Sequence, residues 1–176
     1  SFYTEIVMSE PIEDAVVVYT SANLDDIFEE GGSGWWVLDP RRAEKLKYVI
    51  CVQNKNGPKS FNTKTYTAND GEAFVVGRLS GVESSDHKED KTRVILKFSE
   101  YTEINKPNKW DGSRNPVRYV NSSVFLGMDM EKDVKYNPMP SKEEFNLQPI
   151  TLMEVKERLA KTLGVDIKQI SISINY

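Results

Sequence analysis

The chain has 176 residues, 39% of them apolar, with a formal net charge of −4. That length suits one domain over 1–176, and the acidic balance excludes a global pull on nucleic acid, so any polyanion site has to be a local patch. No run of about 18 uncharged apolar residues is present to span a bilayer. The opening SFYTEIVMSE lacks the basic and apolar stretches of a secretory leader, so the expectation is a soluble, cytoplasmic protein with no membrane partner.

In chain order, Ala15, Val16, Val17, Val18 and Tyr19 form a β-branched run of the kind found in buried strands. Ser21, Ala22 and Asn23 follow with side-chain oxygens for a helix cap, and Leu24, Ile27 and Phe28 then share one helical face. GGSG at 31–34 should stop that helix and is read as a linker turn. It is no phosphate loop, since it lacks a following Lys-Ser/Thr and precedes a strand. Trp35, Trp36, Val37 and Leu38 form that strand. Asp39 and Pro40 suit the cap and first position of a helix over 41–47.

Residues 48–52 read as a central strand holding Cys51, the only cysteine. A lone thiol in an apolar run is a small core hydrophobe, excludes an internal disulfide and suggests a reducing compartment. Residues 54–71, NKNGPKSFNTKTYTANDG, show no apolar period but interleave Lys55, Lys59 and Lys64 with Phe61 and Tyr66. Lysines neutralise phosphates and rings stack on bases, which is what a single-stranded nucleic acid requires; a surface loop of no function has the same composition.

Ala73, Phe74, Val75 and Val76 form a further strand, with Gly77 marking a bulge or a close backbone approach. A charged loop over 83–92 leads to a strand over 93–101, where Val94, Leu96 and Phe98 alternate with Arg93, Lys97 and Ser99. Thr151 and Glu154 make a capping box for a helix whose Leu152, Val155, Leu159 and Leu163 form one stripe and which Gly164 ends. Ile170, Ile172 and Ile174 then alternate with polar residues, which predicts a closing strand inserted in the sheet. The whole reads as α+β, with a mixed or mainly antiparallel, barrel-like sheet and two or three flanking helices.

His87, the only histidine, lies in a hydrophilic run and offers little material for a metal cluster or a triad. No metal, cofactor or catalytic residue is therefore assigned. An enzyme acting on a small phosphorylated or nucleotide substrate stays open as an alternative, if Asp70, Glu72, Glu100 or Asp111 converge with Arg78 or Arg114.

The densest chemistry lies in residues 109–119. Trp110 and Tyr119 can stack, Arg114 and Arg118 can fork onto phosphate or a base edge, Asn115 can pair with a base, and Gly112 and Pro116 punctuate the backbone. The bland alternative makes the rings core plugs and Arg114 an ion-pair partner.

Trp110, Gly112, Arg114 and Asn115 resemble the Trp-x-Gly-x-Arg-Asn signature of EVE-type domains in the PUA-like superfamily. The resemblance implies a compact β-barrel with flanking helices. It also implies a pocket near Trp110, Arg114 and Asn115, with RNA or modified DNA bases as ligands of relatives. EVE domains carry the signature early, whereas most strands precede it here. More broadly, residues 34–38, 73–77 and 110–119 and the Ile-rich end are similar to bacterial proteins of no assigned activity.

The leading expectation is a non-enzymatic recognition domain for RNA, DNA or a nucleotide. Trp110, Arg114, Asn115, Arg118 and Tyr119 would form one wall, and Lys55, Lys59, Phe61, Lys64 and Tyr66 the second. The alternative is a protein-interaction module using the same aromatic and Arg side chains as hot spots.

Overall fold

The structure is a computed structural model that describes residues 11–57, 65–84, 93–146 and 150–175. Its contacts divide the chain into two compact units, Ser1–Pro140 and Ser141–Tyr176.

The first unit is built on one mixed sheet. Its described strands are β1 (Ala15–Thr20), β2 (Gly32–Val37), β3 (Tyr48–Gln53), β4 (Ala73–Ser84), β5 (Arg93–Lys106), β6 (Val117–Val120) and β7 (Asn137–Pro138). The order is β2-β5-β4-β3-β1-β6, with the two-residue β7 also on β5. Only β1 and β3 pair in parallel; every other pairing is antiparallel. The long β4 and β5 slip register at three places along their ladder, and such bulges bend and twist strands. The sheet accordingly curls into a half-barrel whose edges, among the described residues, are β2 and β6.

Two apolar clusters explain why β1 and β3 are continuous hydrophobic runs: both of their faces are covered. Val16, Val18, Val49 and Cys51 point into a cluster with Val94, Leu96 and Phe98, closed by Ile27 and Ala43. Ala15, Val17, Ile50 and Val52 point the other way, into a cluster closed by Leu126 and Met130. These closing residues come from α1 (Leu24–Glu30), α2 (Pro40–Ala43), α3 (Ser122–Leu126) and the segment after α3. Asn23 and Asp26 form a capping box on α1, Gly31 ends it in the left-handed region, and Asp39 with Pro40 opens α2. Gly77 has the expected close approach: a Cβ there would sit 2.4 Å from the Phe98 ring.

Several expectations need correction. The glycines after Gly31 are not a linker turn but the start of β2, because a Cβ on Gly32 would lie 2.0 Å from the Leu96 carbonyl oxygen and one on Gly34 would lie 3.0 Å from Ile95. β2 therefore packs against β5 at a distance only glycine allows. α2 stops at Ala43, short of the expected 41–47. β4 and β5 run well past the expected 73–76 and 93–101, since each completes the other's hydrogen bonds along a shared ladder. Five α-helices are present among the described residues in place of two or three, and three of them have only four or five residues.

The second unit holds α4 (Lys142–Asn146), α5 (Leu152–Leu163) and a 3-10 turn at Ile167–Gln169. The Thr151 and Glu154 capping box and the Gly164 stop of α5 are present. Its apolar stripe is not a core face, as Leu152, Leu159 and Leu163 are 40–63% exposed. Residues 170–175 form no strand, and Ile174 is 68% exposed. An alternating pattern becomes a strand only when an edge accepts its backbone, and this unit has no strand among its described residues.

Candidate functional site

An open cleft of about 770 Å³ lies where the edges of the half-barrel approach the end of β1. Trp35 and Trp36 of β2 form one side. Tyr19 and Thr20 of β1 and Asn54 after β3 contribute from the sheet end. Arg114 and Asn115, in the loop entering β6, come from the other edge, and Arg93 of β5 is also in the lining.

A buried amide organises this end of the sheet. Gln53 is fully buried, donates through Nε2 to the carbonyls of Thr20 and Ala22 at 3.0 Å each, and accepts the Thr67 N–H at 3.2 Å. Three chain segments are thus tied to one side chain whose amide is satisfied, which makes the arrangement rigid without a desolvation penalty. The two tryptophans differ. The Trp36 indole donates to Ser33 Oγ at 3.0 Å and packs on the first cluster. Trp35 is 41% exposed, with its carbonyl held by Arg93 Nη1 at 3.1 Å. Trp35 is therefore the more exposed of the two indoles in the lining.

Of the residues picked out in sequence, Arg114 and Asn115 line the cleft. Trp110 does not; it stacks on Tyr19 with centroids 4.4 Å apart and planes at 15°, half-buried against the second cluster. The Tyr19 hydroxyl donates to Asp70 at 2.9 Å. Burial first, and the Asp70 hydrogen bond and charge next, push its pKa up to about 12. Asp70 also accepts the Lys55 N–H at 2.8 Å, the Lys55 ammonium lies 5.8 Å from the Tyr66 ring centre, and Tyr66 donates to the Lys55 carbonyl at 3.3 Å. Trp110, Lys55 and Tyr66 are thus linked through Tyr19 and Asp70 and stand outside the lining. Lys59, Phe61, Lys64 and His87 lie outside the described residues.

Arg118 and Tyr119 are not brought together. They are neighbours on β6, opposite Val17 and Val16, and strand neighbours face opposite ways. Arg118 pairs with Asp111 at 3.3 Å, whereas Tyr119 packs on the first cluster beneath the Arg42 guanidinium, 3.7 Å from its ring centre.

A second polar cluster surrounds Arg78. Its two terminal nitrogens each donate to a Glu131 oxygen at 2.7 Å. Its Nε lies 3.0 Å from Glu100 Oε2 outside hydrogen-bonding geometry, so that contact is ionic only. The Tyr136 ring covers the guanidinium at 4.0 Å, and Tyr48 donates to Glu131. The Arg78 and Tyr48 hydrogen bonds hold the Glu131 carboxyl down at about 2. Burial pushes Tyr136 up to about 12. Of the carboxylates weighed for an enzyme, only Glu100 meets Arg78; Asp70 and Asp111 are engaged elsewhere, and no Asp or Glu lines the cleft among the described residues. With two carboxylates and a ring on it, Arg78 serves to fasten the segment carrying Glu131 and Tyr136 to the sheet.

Cys51 is fully buried, and burial pushes its thiol up to about 12. It is a core side chain rather than a nucleophile. Among the described residues no group of three or more His, Cys, Asp or Glu is placed to hold a metal ion, and no helix is long and apolar enough to cross a membrane.

Sequence reading missed Trp35, Tyr19, Asn54 and Gln53. For Trp35 a signal existed, because two adjacent tryptophans in a strand cannot both face the core. Compared with known proteins, the chain matches no family model, no curated protein and no solved structure.

Proposed function

We propose that the cleft binds a nucleotide, free or within a single strand, with its base stacked on Trp35 and its acceptor oxygens on Arg114. One observation carries this reading: in a chain of net charge −4, the cleft combines an exposed indole with Arg93 and Arg114 and has no Asp or Glu in its described lining. Arg114 is exposed and has no side-chain hydrogen bond or ion pair among the described residues. Its guanidinium remains available for the charge-assisted, forked contacts that Arg makes with phosphate. The volume of about 770 Å³ falls within the roughly 300–1,000 Å³ of small-molecule sites. The likeness of Trp110, Gly112, Arg114 and Asn115 to the EVE signature supports the same two cleft residues, and the curled half-barrel suits a PUA-like barrel, the fold family proposed here.

The test is a fluorescence titration of the intact chain with nucleoside monophosphates and with short DNA and RNA strands. Stacking on an aromatic ring is worth about 1–3 kcal/mol per base, so Trp35→Ala should weaken binding by roughly tenfold. Arg114→Ala should weaken it comparably. For a strand making two phosphate contacts, raising salt from 50 to 200 mM should cost about sevenfold. Absence of binding at low salt by the wild-type chain, or unchanged binding by both variants, would sink the reading.

The exposed Trp35 and Val37 on β2, an edge strand among the described residues, favour one second reading, a peptide strand added to that edge. Its affinity would change little with salt.

A further inference from the structure

Two stretches of the chain are built for strand pairing and lack part of it. The first is the outer edge of β2. Among the described residues β2 pairs with β5 alone, so the side turned away from β5 has no strand partner. Its Trp35 carbonyl also takes the Arg93 guanidinium. Edges are ordinarily blunted by charge or proline, because a row of unpaired N–H and C=O groups is a template for another chain. The opposite edge is blunted in this way: β6 has four residues, one of them Arg118, and follows Pro116. β2, Gly-Ser-Gly-Trp-Trp-Val, contains neither a charge nor a proline. Its Trp35 and Val37, two positions apart and so on one face, are exposed.

The second stretch is residues 170–175. Ile170 is already extended, with φ −92° and ψ 122°. Ile170, Ile172 and Ile174 alternate with Ser171, Ser173 and Asn175, with no charge and no proline, over the same six residues' length as β2. The Ile170 N–H donates to Ile167, but 171–175 enter no strand. Nor does the second unit offer these isoleucines a core, since Ala160 is its one buried apolar residue among those described.

We propose that residues 170–175 of one copy of this chain add as a strand to the β2 edge of a second copy, each copy giving its segment to the other. Main-chain hydrogen bonds then satisfy both unpaired backbones. The isoleucine face lies beside Trp35 and Val37, where aromatic and β-branched side chains form favourable cross-strand pairs. Ser171, Ser173 and Asn175 take the other face. Reciprocal exchange about a twofold axis closes the assembly at two copies. The proposal rests on the peptide reading of the β2 edge and gives that peptide a source. A stacked base and the segment cover the same Trp35 ring, so a nucleotide and the second copy compete.

The experiment is sedimentation equilibrium of the full chain over a wide range of protein concentration, where a dimer is expected. Val37 and Ile174 are both exposed, so Val37→Asp and Ile174→Asp should leave the single chain folded, which circular dichroism checks. Each variant spoils both exchanges and should weaken the dimer at least about tenfold. An equimolar mixture of the two keeps one exchange intact, the segment of the Val37→Asp copy on the edge of the Ile174→Asp copy. That mixture should form a heterodimer at concentrations where neither variant pairs alone. A monomer at every concentration overturns the proposal, as does a dimer that neither variant weakens or a mixture that stays monomeric. A peptide of residues 168–175 and an unrelated peptide of alternating Ser and Val are then added to the Ile174→Asp chain, following tryptophan emission. The first should bind. Binding of the second alone overturns the proposal and leaves the peptide reading standing, and binding of neither overturns both.

Discussion

Neutralising Glu131 should loosen the fastening between the sheet and the segment that covers its second face. Arg78 makes two 2.7 Å hydrogen bonds to the Glu131 carboxylate, and Tyr48 adds a third. Met130 and Tyr136, on either side of Glu131 in the chain, pack on that face. A carboxyl held at about 2 in place of its ordinary 4.5 corresponds at full strength to about 3 kcal/mol. Glu131 is 54% exposed and Arg78 31%, and solvent screening at such exposure brings the figure down to about 1 kcal/mol. Glu131→Gln should therefore be less stable than wild type by about 1 kcal/mol in urea unfolding at neutral pH. Folding depresses this group's pKa, so its contribution is complete above the unfolded value near 4.5 and is lost as pH falls toward about 2. The gap between wild type and variant should close across that window. A gap unchanged between neutral pH and the acid end, or a variant as stable as wild type at neutral pH, would refute the fastening role.

Gly32→Ala should destabilise the chain by about 3 kcal/mol or more, because the added Cβ meets the Leu96 carbonyl at 2.0 Å and the backbone has to move. Gly81→Ala, with nothing within 4 Å of its Cβ, should fall within about 0.5 kcal/mol of wild type in the same thermal unfolding experiment. Gln53→Leu strands the Thr20 and Ala22 carbonyls and the Thr67 N–H; a cost of about 2–4 kcal/mol, with weakened ligand binding, is expected by denaturant titration and fluorescence. Tyr19 should ionise near 12. Since folding raises this pKa, its stabilisation is present below about pH 10 and fades between about 10 and 12. The ultraviolet phenolate titration of wild type minus Tyr19→Phe checks this, and a difference centred at 10 would contradict the burial of the ring together with its Asp70 bond.

Local chemistry was legible in the sequence where a few adjacent residues decide the outcome. The Asn23 cap with its Gly31 stop, the Asp39 and Pro40 start, and the Thr151 box with Gly164 are each settled within one turn of helix, and each is present. The doubly buried β1 and β3 were legible too, because a strand covered on both faces has to be apolar throughout. Arg114 and Asn115 stood out as polar residues between turn-forming ones, and both reach the cleft.

The remainder depended on partners distant in the chain. GGSG reads locally as a turn, and only the approach of Leu96 and Ile95 shows its glycines to be a strand seam. Ile170, Ile172 and Ile174 alternate as a strand should, but alternation states a preference for one face and supplies no edge to pair with. Arg118 and Tyr119 share a dense segment yet are separated by the sheet, since register decides which face each side chain takes. The sequence by itself determined the caps, the buried strands and the two polar residues that reach the cleft. Tertiary structure decided that Trp35, Asn54 and Arg114 line one cleft, because a cleft between the edges of a curled sheet is assembled from chain segments that no short-range pattern connects.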